Sequence, residues 1–256
     1  GALSAAHHDQ AQSLLESIPP ALRDAAHDAV LAPALVYSLL FGDAGARELV
    51  TKHDGASAAD HATRLQPATA ALPPAARLPL LQLAFPVLST LDPAARDRFV
   101  TTLDELVHAD TKVSPFEFAL QKMLLHQLKL AGAPQARVDF HAFQAVAEDI
   151  AVVLSTLARA GQQDGPTVAG AFLAGAAQLP LIRQNLALQP AGTGDLTPLD
   201  RALDRLAVSS LPIKKRLLLA AAHVIGHDGT VTVEEGELLR AIAVTLDCPM
   251  PVLGTA

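Results

Sequence analysis

Apolar residues recur at three- and four-residue spacing along most of the chain, and no segment sustains the apolar–polar alternation of a half-buried strand. That periodicity predicts an all-α fold. Phe99, Leu103, Leu106 and Val107 form one stripe behind Asp92-Pro93, a cap with proline at the first helical position. Phe116, Leu120, Leu124 and Leu128 form the next. A helix is expected over Asp139–Ala160, carrying Phe143, Val146, Ile150, Val153, Leu154 and Leu157. Another holds Val168, Phe172, Leu173 and Ala176, with a kink at Pro180. Upstream, Ser4–Ile18 has helical spacing before Pro19-Pro20 restarts the chain. After Pro33, Ala34-Leu-Val-Tyr-Ser-Leu-Leu-Phe41 is apolar on all sides, is ended by Gly42-Asp43 and reads as a buried helix, with the Tyr37 ring packed inward and its hydroxyl in water. Helices at Ala44–His53 and Ser57–Leu72 follow, the latter closed by Pro73-Pro74. From Cys248 on, two prolines and the loss of periodicity predict an extended or disordered tail.

One stretch occurs twice. Asp110-Thr-Lys-Val-Ser-Pro-Phe-Glu117 recurs 118 residues later as Asp228-Gly-Thr-Val-Thr-Val-Glu-Glu235. The same offset, without a gap, sets Phe99 on Leu217, Leu106 on Val224, Leu120 on Leu238 and Leu124 on Ile242. An internal repeat of about three helices is therefore expected, covering roughly 79–130 and 198–247. The expected organisation is an N-terminal helical segment at 1–78, the first repeat with its following helices at 79–188, a linker at 189–197, and the second repeat with the tail at 198–256.

Ser114 with Glu117 and Thr232 with Glu235 have capping-box spacing, which makes each repeated stretch the end of one helix and the start of the next. Val113 and Val231, just before the caps, are placed to act as hydrophobic staples. The competing reading is a cation loop, in which Asp228, Thr230, Thr232 and Glu235 are the ligands and Asp110 with Glu117 a weaker second set. Hard cations want six or more oxygens, and Val224 and Gly226 stand where the first ligands of an EF-hand loop would be. Lys112 would repel a cation from the first copy. Capping is the favoured reading.

Composition narrows the field. Half the 256 residues are apolar and only 4% aromatic, the net charge is −7, and the densest basic run is Lys214-Lys215-Arg216, which argues against nucleic acid as a partner. The apolar stretches at 29–42 and 217–226 fall short of the ~20 residues of a spanning helix. The single Cys248 cannot form an intramolecular disulfide, and no neighbouring cation in sequence lowers its pKa.

His223-Val-Ile-Gly-His227 has the spacing of the helical zinc motif, yet Val224 stands where the catalytic glutamate belongs. Metal binding by His223, His227 and Asp228 is weighed against a boundary helix with one buried and one exposed imidazole, and the latter is preferred. His53-Asp54 and Asp60-His61 flank a turn and form a further candidate pinch. No nucleophile elbow, phosphate loop or dinucleotide fingerprint occurs, so no catalytic set and no bound cofactor is expected in this chain.

The repeated helix–acidic turn–helix resembles the TerB-like helical domain, in which such turns are suspected of binding metal. Ala32-Pro-Ala-Leu-Val-Tyr-Ser-Leu-Leu-Phe41, Ala76-Arg-Leu-Pro-Leu-Leu-Gln-Leu-Ala-Phe-Pro86 and Phe116-Glu-Phe-Ala-Leu-Gln-Lys-Met-Leu124 are similar to the region after the peptidase domain in bacterial HtpX-like membrane zinc metallopeptidases. Thr111 departs from the usual glycine of the first turn. The resemblance implies a regulatory or interaction region without catalytic residues, partnered by the upstream peptidase domain or other protein helices. It also implies a membrane-anchored parent that carries the zinc, with this region on the cytoplasmic side of the bacterial inner membrane. A free-standing TerB-like protein that senses ions or binds partners is the alternative.

Overall fold

The structure, a computed structural model, describes residues 16–42, 44–109, 113–130, 138–161, 164–190 and 195–250. Among them are twelve α-helices, two 3-10 turns and no strand, so the fold is all-α. The expected helix over Ser4–Ile18 and the tail beyond Met250 lie largely outside the described residues, as does the turn Asp110–Lys112. Two compact units divide the chain, Gly1–Val113 with Leu124–Gly132 and Ser114–Met123 with Ala133–Ala256. This division differs from the expected boundaries at 78 and 188. A helix runs through residue 78, and the helix Pro115–Leu130 contributes its two halves to different units.

The first unit is built from α1 (Pro20–His27), α2 (Leu31–Leu40), α3 (Ala44–Asp54), α4 (Ala56–Ala70), α5 (Pro74–Leu88) and α6 (Pro93–Val107). α2 is buried nearly all round, as its unbroken apolar sequence requires, and packs on α4, α1, α5 and α6. Prolines start α1, α5 and α6 at the first turn, where the missing N–H costs nothing. Asp92 caps α6 by accepting from the Ala95 amide at 2.9 Å.

The Tyr37 hydroxyl does not reach water. It donates to Asp54 Oδ2 at 2.9 Å, and the Thr102 hydroxyl donates to the same oxygen at 2.6 Å. Tyr37 and Thr102 are fully buried, so these two bonds pin α2, α3 and α6 together with satisfied polar groups. The ring packs on Phe99 with centroids 5.5 Å apart.

In the second unit α8 (Ala147–Ala160) is the centre, contacting α9 (Gly165–Ala176), α10 (Thr197–Ala207), α11 (Leu211–Ile225) and α12 (Val233–Thr245). Its Ile150, Val153, Leu154 and Leu157 are all fully buried. Helix α7 (Pro115–Leu130) adds its first half to this unit, where Lys122 is ion-paired with Asp200 and lies 3.6 Å from Asp204.

The helix expected over Asp139–Ala160 begins later than its periodicity suggested. Residues 139 and 140 are held extended, with the Asp139 amide on Val208 O and the Ser210 amide on Phe140 O, and a 3-10 turn at Phe143–Val146 leads into α8. At the other end α9 stops at Ala176 rather than kinking at Pro180. The expected linker starts firmly: the Gln189 amide donates to Ser155 Oγ at 2.9 Å, and Arg159 donates to the Gln189 carbonyl.

The 118-residue offset reappears in the helix limits. α6 at 93–107 maps onto α11 at 211–225, end to end, and the start of α7 at 115 maps onto the start of α12 at 233. The surroundings differ, because α12 lies wholly within the second unit against α8, α10 and α11, whereas α7 is divided.

Candidate functional site

The second acidic turn joins α11 to α12. Asp228 Oδ1 accepts from the Thr230 amide at 3.0 Å and the Thr230 hydroxyl at 3.2 Å, closing an Asx turn around Gly229, which has φ +83°. Thr232 then caps α12. Its hydroxyl accepts from the Glu235 amide at 3.2 Å, while Glu235 Oε2 accepts from the Thr232 amide at 2.8 Å and the Thr232 hydroxyl at 3.0 Å. The capping box anticipated from spacing is thus formed. Ser114 and Glu117 form the same box at the start of α7, with bonds of 2.7 and 3.2 Å. Asp110 lies outside the described residues.

In the second copy the staple is not formed. Its partner position, four residues into α12, is Gly236, which has no side chain, and Val231 stays 42% exposed.

Glu235 is only 3% exposed. Its other oxygen, Oε1, fills the place a Cβ of Gly161 would occupy, at the C-cap of α8. Burial raises its pKa above the ordinary glutamate range, and the nearby Asp228 and Glu234 charges push the same way. The negative end of the α8 dipole disfavours a charge at that spot as well. Two more glycines receive side chains from α11 and its turn: a Cβ on Gly170 would sit 2.8 Å from His227 Nε2, and one on Gly175 would overlap Val224 Cγ2. Gly161, Gly170 and Gly175 therefore form notches into which the α11–turn–α12 segment locks.

The four second-copy candidates fall into two pairs, Asp228 with Thr230 and Thr232 with Glu235, each closed by its own hydrogen bonds. Among the described residues no three His, Cys, Asp or Glu side chains converge as a metal site. His223 and His227 are both exposed, in place of the expected buried and exposed pair, because the inward face of α11 is taken by Leu217, Ala220, Ala221 and Val224.

The His53-Asp54 and Asp60-His61 pinch is not assembled either. Asp54 turns to Tyr37 and Thr102, Asp60 pairs with Arg47 at 2.6 Å, and His53 Nε2 lies 3.0 Å from Glu105 Oε2. The hydrogen bond from His53 is the main cause that holds the Glu105 carboxyl below its usual pKa. Cys248 is nearly buried, and desolvation pushes its thiol up, away from the reactive range.

What single-residue reading missed is a surface. Leu211, Lys215, Leu219 and His223 recur every four residues along the outward side of α11, with Pro212 and Arg216 beside them. Leu211 is 52% and Leu219 40% exposed. The two leucines at i and i+8, Leu211 and Leu219, stand in the sequence, but the adjacent buried Leu217 and Leu218 hid which face turned outward.

No family model, curated protein or solved structure matches this chain.

Proposed function

We propose that this chain is a non-catalytic helical interaction module, carrying two TerB-like units and belonging to the C-terminal side of a bacterial HtpX-like membrane zinc metallopeptidase. The observation that carries the interaction reading is the outward face of α11, where leucines lie open between cationic side chains. Surfaces of that kind on an otherwise well-packed domain mark partner sites. The parentage rests on the resemblance of 32–41, 76–86 and 116–124. In that parent, the zinc and the reacting groups belong to the peptidase domain, and this module sits on the cytoplasmic side of the inner membrane, positioning or restraining that domain through helix–helix contacts.

The second acidic turn serves this role as a fixed joint, since Asp228 and Glu235 are already held by hydrogen bonds within it. The encoding gene tests the parentage: upstream apolar stretches of about 20 residues and a His-Glu-x-x-His motif support it. A start codon directly before Ala2 contradicts it. Casein cleavage by this chain in the presence of zinc contradicts the non-catalytic part. A free-standing, ion-sensing protein is the second reading, favoured by the four oxygen-bearing side chains Asp228, Thr230, Thr232 and Glu235 gathered in one turn. Calorimetric titration with calcium, magnesium and zinc decides between the two.

A further inference from the structure

Beside the start of α11 lies a groove of about 200 Å³ lined by Phe143, Leu179, Leu181, Ile182, Pro212 and Arg216. It is smaller than the ~300 Å³ or more of a small-molecule site, and suits one large apolar side chain. Leu179 and Ile182 form a buried floor, while Leu181 stands 78% exposed at the rim. Arg216 belongs both to the groove and to the outward face of α11. The groove and Leu219 therefore lie on the same side of α11, with Lys215 and Arg216 exposed between them. From Pro212 to Leu219 is seven residues, or roughly 10 Å along a helix axis. Two anchors of a partner helix at i and i+7 have the same spacing.

Charge selects the partner's chemistry. The segments 178–190 and 208–224, which build most of this surface, contain Arg183, Lys214, Lys215 and Arg216 and not one Asp or Glu, and the segment that supplies Phe143 adds one exposed acid, Asp139, beside the start of α11. In a chain with net charge −7 this is a local reversal of sign. None of the four cations has an ion-pair partner among the described residues. We propose that this face docks an amphipathic acidic helix of a partner protein, one apolar anchor filling the Phe143–Ile182–Pro212 groove and a second, two turns on, resting on Leu219, with acidic flanks facing Lys215 and Arg216. Helix-in-groove recognition of this kind reads anchors by their helical spacing. Opposite charge raises the encounter rate and fixes register. Exposed leucines among cations would also suit an anionic lipid surface, but a recessed socket with Arg216 in its wall favours a protruding side chain.

This inference rests on the interaction-module reading and deepens it, and it fails separately: the gene context and the peptidase assay above do not depend on it. The probe is a fluorescein-labelled peptide of about 16 residues, long enough to be partly helical, with Leu at i and i+7 and Glu on both flanks. Its anisotropy is followed against the full 256-residue chain. Saturable binding is expected, weakening as salt rises, and falling at least about tenfold with Arg216→Glu and with Leu181→Glu. Both positions are exposed, so circular dichroism should report an unchanged fold. Replacing the two peptide leucines by Ala, or its glutamates by Lys, should abolish binding. The proposal is overturned if the peptide does not bind, if the Ala or Lys peptide binds equally, or if neither substitution weakens binding. It is likewise overturned if the same substitutions instead remove binding to phosphatidylserine vesicles that the peptide does not compete for.

Discussion

Glu235 and Tyr37 show how a polar side chain can be committed to structure when its spacing or chemistry suggests something else. Asp54 holds two donors in a part-buried site, so Tyr37→Phe removes one partner without opening a cavity. It should cost ~1–3 kcal/mol, the range for stranding part of a buried hydrogen-bonded group, measurable by chemical denaturation. Thr232→Ala and Ser114→Ala each delete one half of a capping box and should each cost about 1 kcal/mol. For Glu235 the sign of the pH effect follows from its raised pKa. The folded state holds the proton more tightly than the unfolded chain, so the favourable contribution is complete below the unfolded value of about 4.3 and is lost as pH rises through the folded one. Glutamine keeps the reach-back bond of the box without the buried charge.

At the scale of elements, three glycines decide how α11, its turn and α12 seat on α8 and α9. Gly161→Ala should push Glu235 out of its box and cost ~1–2 kcal/mol, about the value of a cap. In a Glu235→Ala background that cost should nearly vanish, because the two residues act through one contact. Gly236, inside α12 with open space around it, behaves oppositely: Gly236→Ala should stabilise by ~0.5–1 kcal/mol through helix propensity alone. A thermal-melt series over these variants checks all three. Helices and caps were legible in the sequence because they are local: the Asp92, Ser114 and Thr232 caps follow from residue types at fixed spacing. The glycine notches were not, since Gly161 and Glu235 are 74 positions apart and nothing in either neighbourhood names the other. The start of α8 was misjudged for the same reason, residues 139–140 being held by bonds to Val208 and Ser210 that periodicity cannot register.

Across the whole molecule, an acidic chain of helices carries one cationic, partly apolar face, and among its described residues no helix is long and apolar enough to cross a membrane. The helix limits recur at the 118-residue offset, with different packing around each copy. In this account the second acidic turn fastens α11 to α12, and the outer side of α11 is the face proposed for a partner. Differential scanning calorimetry of Glu235→Gln against the parent chain at pH 7, with and without millimolar calcium, tests this most directly. The expected result is a melting temperature for Glu235→Gln equal to or above that of the parent, the difference shrinking as pH falls toward 4, and no shift with calcium in either protein. A parent melting temperature that rises with calcium, together with a Glu235→Gln variant that melts several degrees lower and ignores the ion, would show the turn to be a cation site and contradict the account.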